Sequence, residues 1–285
     1  MSFRGECFAA LQRLVPQHGL SRLTARLAES ETPWLKNMLI KGFIKKFDID
    51  LSEARYQSLE SYDCFNEFFT RQLKPDLRPV DSNPDSIASP ADGTVSQIGA
   101  IDDGRVIQAK GKHFSTTELL GSTDDADFFN DGRFTTIYLS PKDYHRVHMP
   151  VNGTLLHTRY IPGDLFSVNN DTAEHIPNLF ARNERLVCLF ETDFGKVAVV
   201  MVGAMLVAGI GTVWQKSYPP NPGVIEETLF NEDDAPTLAK GEEMGHFNFG
   251  STVILLFEAE SMDWLDSINS GEGTQMGQQI GLKNL

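Results

Sequence analysis

Two histidines three residues apart, an aspartate in a tight turn and a serine that opens an apolar strand are the side chains equipped for chemistry. His145 and His148 lie in Ser140-Pro141-Lys142-Asp143-Tyr144-His145-Arg146-Val147-His148-Met149-Pro150, where the flanking prolines predict a loop or short turn. Imidazoles titrate near neutral pH and move protons without a metal. A zinc site would need a third ligand at useful local spacing, which this segment lacks. Pro90-Ala91-Asp92-Gly93 sets a carboxylate in a turn before a strand, where Asp most often serves the turn itself. In Gly245-His246-Phe247-Asn248-Phe249-Gly250-Ser251-Thr252-Val253, the Ser251 hydroxyl stands at a strand mouth beside a carbonyl of its own chain. The missing side chain at Gly250 leaves that carbonyl approachable. The nucleophile elbow of the hydrolase sheet needs G-x-S-x-G followed by a helix, a different pattern. Asp92, His148 and Ser251 have the makings of an acid–histidine–serine relay. By residue type alone such trios are abundant, and two surface histidines on a loop read equally well. His18, His157, His175 and His246 have no comparable context and read as structural.

The elements that must position these residues are legible in outline. Short β-like runs alternate with turns at Thr94–Ile98, Arg105–Ala109, Phe134–Leu139, Gly153–Tyr160, Leu186–Glu191, Val197–Val202 and Val253–Phe257. Residues 115–130 and 171–184 read as helical or irregular, and the four prolines from Pro75 to Pro90 as an extended connection. Helices come first: Phe3 to Leu14, broken by Pro16 and Gly19; Ser21 to Ala28; one opening at Pro33; and a short one at Phe65–Phe69. The fold class is α+β, with N-terminal amphipathic helices followed by a mostly antiparallel β core. Residues 197–215 carry no charge and just reach spanning length. Their valines and three glycines instead predict two buried strands parted near Gly203-Ala204.

The charge is unevenly spread. The 285 residues carry a formal net charge of -14, which argues against a nucleic-acid partner. Residues 1–46, however, hold eight basic and three acidic side chains, and the remainder is correspondingly more acidic. Such segregation suggests that the two parts face different surroundings. Trp34, Leu35, Met38, Leu39, Phe43 and Ile44 recur at helical spacing, with Lys36, Lys41, Lys45 and Lys46 between them. A helix of that kind lies in an anionic membrane interface, or packs on its own domain with its lysines solvated. Cys7, Cys64 and Cys188 are scattered and odd in number, which excludes a disulfide scaffold and a thiolate zinc site and fits a reducing compartment.

PADG (90–93), YLSPKDYHRVHMP (138–150), PGDLFSVN (162–169), LFARNER (179–185) and KGEEMGHFNFGSTV (240–253) occur in this order, together with the stretch from Phe65 to Asp81. In this combination the chain resembles phosphatidylserine decarboxylases of the bacterial, membrane-associated type, over nearly its whole length. The resemblance implies a proenzyme that cuts itself at Gly250–Ser251 into a β chain, 1–250, and an α chain, 251–285. It implies that Ser251 becomes a covalent pyruvoyl cofactor, which forms a Schiff base with phosphatidylserine and yields phosphatidylethanolamine in phospholipid biosynthesis. Asp92 and His148 would activate Ser251, and His145 would return a proton after decarboxylation. No metal is implied. Phe249 departs from the Leu that the family commonly has before Gly-Ser; both are apolar, so no effect is expected. The implied partners are the lipid substrate, an anionic membrane surface met by residues 1–46, the two chains of one precursor and a homodimer. The implied location is peripheral, on the cytoplasmic side of the inner membrane, with residues 1–64 as the membrane-associating part and 65–285 as the catalytic domain. Two other readings compete: a serine hydrolase on an intact chain, and a non-enzymatic membrane-associated β domain.

Overall fold

A computed structural model describes residues 12, 17–109, 111–205, 209–218, 223–231, 233–248 and 251–284. Helices α1 (Gln17–Ala28), α2 (Pro33–Phe47) and α3 (Phe65–Phe69) come first. Pro33 has the fixed φ that suits a first helical turn, and α2 starts there as its sequence predicts. Gly19 was expected to break the chain but lies inside α1. The glycine penalty of roughly 1 kcal/mol belongs to helix interiors, and Gly19 stands in the first turn. The helix expected over Phe3–Leu14 lies outside the described residues apart from Gln12, which is helical and buried.

Lys36 departs from its expected place among solvated or lipid-facing lysines. It is buried, and its Nζ donates to the carbonyls of Leu59 (2.9 Å) and Tyr62 (2.6 Å). That pair of bonds ties α2 to the segment before α3. Ala28, Ile40, Ile49, Tyr62, Phe65, Phe68 and Phe69 then form one hydrophobic cluster. This cluster packs α3 against the preceding helical segment.

The strands in chain order are β1 (Ser86–Ala88), β2 (Gly93–Ala100), β3 (Arg105–Ala109), β4 (Lys112–Ser115), β5 (Arg133–Leu139), β6 (Arg146–His148), β7 (Gly153–Ile161), β8 (Arg185–Thr192) and β9 (Gly195–Val202). After them come β10 (Ile210–Thr212), β11 (Glu226–Leu229), β12 (Thr237–Leu238), β13 (Glu243–Phe247), β14 (Ser251–Phe257), β15 (Met262–Trp264), β16 (Gly273–Thr274) and β17 (Gln279–Lys283). The main sheet runs β11-β7-β8-β9-β14-β5-β2-β16, with β12 beside β7. Its pairings are antiparallel, as read from the sequence. Smaller sheets are β10-β13-β6 and β1-β17-β15. The valine-rich run forms β9 and β10 as expected, and no helix among the described residues is long and apolar enough to cross a membrane.

Each face of the main sheet is covered. Along β14, Ile254 and Leu256 enter the core shared with Leu119, Ala126, Ala173 and Phe180 from the short helices. Val253, Leu255 and Phe257 enter a second core with Ile87, Val147, Met149 and Phe247, which the small sheets cap. Three expectations need correction. Arg146–His148, read as a loop, is a strand, because burying Val147 rewards pairing with β13. The stretch Pro75–Pro90 is not wholly a connection, since it holds β1. The residues after Phe257, to which the sequence assigned no role, build β15, β16 and β17 and close on β1 and β2.

A buried charge cluster lies apart from the motifs singled out in the sequence. Arg159 pairs with Asp125 and with Glu227 (2.5 Å), while His157 Nε2 meets Asp125 Oδ2 at 3.1 Å. Burial works to raise the Asp125 pKa, but the bonds from His157 and Arg159 and their charge bring it down to about 2. Asp125→Ala leaves a buried guanidinium without its main partner, so it should destabilise the fold by about 3–5 kcal/mol. Urea unfolding of the full chain measures this; a loss below about 1 kcal/mol would show that Glu227 alone satisfies Arg159.

Candidate active site

Ser251 is the first residue of β14 and pairs with Leu139 of β5, while Thr252 is flanked by Tyr138 and by Val202 of β9. Pairing on both sides fixes the direction of every side chain along β14. By the two-residue alternation of a strand, Ser251 faces the same way as Val253 and Leu255. Its Oγ is buried without a hydrogen-bond partner among the described residues. Gly250 lies outside the described residues. Gly93 helps set this register: a Cβ there would stand 2.4 Å from the Tyr138 carbonyl, so β2 reaches β5 only with glycine at that point.

His145 lies between Tyr144 and β6, and its ring stacks on Phe69 of α3 with centroids 4.0 Å apart. It is wholly buried, and neither ring nitrogen makes a well-formed hydrogen bond. Its backbone carbonyl accepts from the Phe247 amide at 3.1 Å, which anchors it to the end of β13. Burial, and secondarily the Arg71 guanidinium, push its pKa down to about 3, against a smaller upward pull from the carbonyls of Pro141 and Ser140. His145 is therefore neutral in this state.

His148 has both ring nitrogens engaged. A carbonyl can only accept, so the 2.8 Å contact with Gly241 O puts the proton on Nδ1. The lone pair is then on Nε2, where the Tyr144 hydroxyl donates at 3.1 Å. Gly241 adopts a left-handed φ of +83°, and a Cβ there would stand 2.4 Å from a Val80 methyl. Burial lowers the His148 pKa, outweighing the upward effects of Gly241, Glu243 and Asp92. The tautomer and the neutral ring are those of a general base.

Asp92 stands in the expected turn, but its carboxylate is clamped by Arg78, whose Nε donates to both oxygens at 3.0 Å and whose Nη2 donates to Oδ2 at 2.7 Å. The Met276 amide adds a bond to Oδ1 at 2.8 Å. The expected relay is thus not assembled. Among the described residues no hydrogen bond joins Asp92 to His148 or His148 to Ser251. The physical reason is competition: a forked, charge-assisted pair with Arg78 holds Asp92 more strongly than a neutral imidazole can, and the Gly241 carbonyl takes the orienting role. Asp92 keeps a backbone link, since the Pro90 carbonyl accepts from the His148 amide at 2.8 Å.

A cavity of about 300 Å³ opens beside these groups, lined by Arg71, Arg78, Asp92, Lys142, Asp143 and Tyr144 among others. Ser251 and His145 are not in its wall. Sequence reasoning assigned no role to Tyr144, Gly241, Phe69, Arg71, Arg78 or Met276. Arg71 and Arg78 stand in the Phe65–Asp81 stretch singled out above, yet nothing in their spacing shows what they touch. For the Gly241 carbonyl and the Met276 amide no side-chain signal exists at all.

A family model described as phosphatidylserine decarboxylase matches residues 65–282, and one described as PSD matches residues 7–48. The chain is 53% identical over 273 residues to the phosphatidylserine decarboxylase proenzyme of Azotobacter vinelandii, covering 95% of this chain and 96% of that one. It belongs to the phosphatidylserine decarboxylase family. Other relatives with the same name are those of Alcanivorax borkumensis, 50% identical over 99% of this chain and 97% of the other, and Acinetobacter baumannii, 51% identical over 97% and 96%. For a phosphatidylserine decarboxylase family member the two buried histidines give a testable pH signature. Both pKa values are depressed in the native chain, so the unfolded chain takes up protons first as pH falls. Their contribution to stability is present above about pH 6.5 and lost progressively below it, toward about 3 for His145. Urea midpoints of a Ser251→Ala chain should fall from about pH 7 to about pH 4.5, and His145→Phe should flatten that slope. An unchanged slope in His145→Phe would show that His145 is not held neutral.

Proposed function

We propose that this chain is a self-cutting proenzyme whose products together decarboxylate phosphatidylserine to phosphatidylethanolamine. The observation that carries the reading is the Ser251 hydroxyl: buried, without a partner, and held at the mouth of a central strand in the family's sequence context. β14 continues as a strand to Phe257, which disfavours a hydrolase elbow. Cutting needs a base for that hydroxyl. His148 is in the correct tautomer, with Nδ1–H held by Gly241 O, and Ser251 takes over Nε2 when Tyr144 yields it. The serine oxygen then attacks the Gly250 carbonyl carbon, and the amide C–N bond breaks to leave an ester and a free amine. Loss of the Ser251 α-proton expels the Gly250 carboxylate as the new end of the β chain. The dehydroalanine so formed takes up water, releases ammonia and ends as a ketone. Asp92 acts on His148 here through its charge and through the Pro90 link, and not as a hydrogen-bonded orienter.

Residue 251 suits the pyruvoyl group that the family implies. The hydroxyl oxygen departs with the Gly250 carboxylate, Cβ ends as a methyl group and the ketone forms at Cα, so the change removes a buried donor that has no partner among the described residues. A pyruvoyl group at this position would supply a ketone for the substrate amine and an electron sink for the pair that carbon dioxide leaves behind. His145, its plane fixed by stacking on Phe69, returns a proton to that carbon. Being neutral at rest, it must first gain one.

The membrane part of the reading rests on the helical layer. Leu20, Leu23 and Leu27 form an exposed stripe on α1, and Trp34 (69% exposed) and Met38 extend it on α2. Arg22, Arg26, Lys41, Lys45 and Lys46 are exposed in the same two helices. An apolar cavity of about 380 Å³ lies between them, lined by Leu27, Met38, Leu39, Phe43, Phe47 and Phe65. This chemistry suits peripheral attachment to an anionic bilayer on its cytoplasmic face.

The test is carbon dioxide release from phosphatidylserine vesicles. Ser251→Ala should give an uncut, inactive chain. His145→Ala should still cut but lose decarboxylation by roughly 10²–10⁴-fold; full activity would remove His145 from the chemistry. Vesicle co-sedimentation should require anionic lipid and weaken with salt. Equal binding to neutral vesicles at any salt would confine the lysines to solvation.

A further inference from the structure

Arg71 is a buried cation without a counterion. It follows α3 by two residues, it is 6% exposed, and among the described residues no carboxylate lies within ion-pair distance of it. Its Nη2 donates to the Lys142 carbonyl at 3.0 Å, and the plane of its head lies over the Phe68 ring at 5.6 Å. Its Nη1 has no partner. A guanidinium costs several kcal/mol to desolvate, and native proteins leave such donors unmatched chiefly where something else comes to match them.

The surroundings say what that something is. Arg71 is in the wall of the polar cavity of about 300 Å³, together with Lys142. Arg78, in the same wall, is saturated by Asp92 and Glu53. Asp48 and Asp50, which follow α2, line another part of the cavity. The cavity thus joins the helical layer to the 142–144 loop and presents both signs of charge, which suits a headgroup that carries an ammonium group beside its anions. Phe69, two residues from Arg71, stacks on His145, so an anion held on Arg71 would sit close to the reacting centre.

We propose that the Arg71 guanidinium is the group that binds the phosphodiester of the lipid headgroup when it enters this cavity. The assignment rests on the reading of the site given above. The substrate's carboxylate is the less suitable partner. It must leave as neutral carbon dioxide, and a guanidinium on it would stabilise the ground state over the transition state. The phosphodiester keeps its charge throughout. An anion at this point also offsets the charge that Arg71 sets beside His145, which links headgroup binding to the protonation of that ring.

The test uses two soluble competitors of decarboxylation by the matured full-length protein. Glycerophosphoethanolamine carries the phosphodiester and amine without a carboxylate; free serine carries the amine and carboxylate without a phosphodiester. Arg71→Ala and Arg71→Lys are compared with the wild type, with self-cutting as the check on folding. Loss of one charge-assisted bond should weaken inhibition by glycerophosphoethanolamine about tenfold or more in Arg71→Ala, and less in Arg71→Lys, while inhibition by serine is unchanged. A change confined to serine, an equal change for both, or no change for either overturns the proposal. Should neither variant cut, a crystal structure of the matured wild type with glycerophosphoethanolamine decides: a phosphate oxygen within hydrogen-bond distance of the Arg71 guanidinium supports it, and a phosphate elsewhere overturns it. A wild type that cuts and decarboxylates while these arms fail removes Arg71 alone. A wild type that does neither removes the underlying reading.

Discussion

A buried hydroxyl without a hydrogen-bond partner costs on the order of 1–3 kcal/mol, and this fold holds Ser251 in that condition. The cost is sustained by register. β14 is paired on both sides, by β5 and β9, and its alternate residues fill two separate cores. Slipping by one residue to solvate Ser251 would turn Val253, Leu255 and Phe257 out of one core and Ile254 and Leu256 out of the other. The sheet therefore keeps a reactive group in an unsatisfied state that it could not hold alone. The proposed reaction of Ser251 with its own backbone would draw on that unsatisfied atom, held in place by well-packed neighbours.

Around that serine the groups are poised and disengaged. His148 has the right tautomer, but its lone pair is taken by Tyr144. Asp92 is locked to Arg78 and to the Met276 amide, so the residues after Phe257 help hold the turn. His145 has no well-formed hydrogen bond at either ring nitrogen among the described residues, and no charge. A proenzyme with its relay already assembled would gain nothing by folding first. In the proposed cut, Tyr144 must first yield His148 Nε2. The aromatic contacts Phe43–Phe69 (5.7 Å) and Phe69–His145 (4.0 Å) run from the apolar cavity of the helical layer to the same histidine. Packing in the part proposed to meet the membrane thus bears directly on the ring proposed to return the proton.

Much of the fold was legible because its signals are local. The β-branched runs that form β7, β8, β9 and β14, and the proline that opens α2, carry their own periodicity and punctuation. The short strands β1, β6 and β17 were missed, because three to five residues give no periodicity and their pairing rests on partners far along the chain. Within the site, residue types pointed to Asp92, His145, His148 and Ser251, and all four are buried. What spacing could not show is who holds whom. The group orienting His148 is a backbone carbonyl, and a carbonyl leaves no mark in a sequence. Lys36 failed for a related reason: its helical position is amphipathic, but the two carbonyls that bind it belong to a segment more than 20 residues away.

We propose that the buried, unpartnered placement of Ser251 serves its conversion to the ketone. Intact mass spectrometry of the purified wild-type chain, read together with N-terminal sequencing, tests this most directly. The account predicts two chains divided between Gly250 and Ser251, the smaller one blocked at its N-terminus and lighter by one ammonia than a chain beginning with serine. A single full-length chain from protein that decarboxylates phosphatidylserine, or a small chain with a free serine at its start, would contradict it.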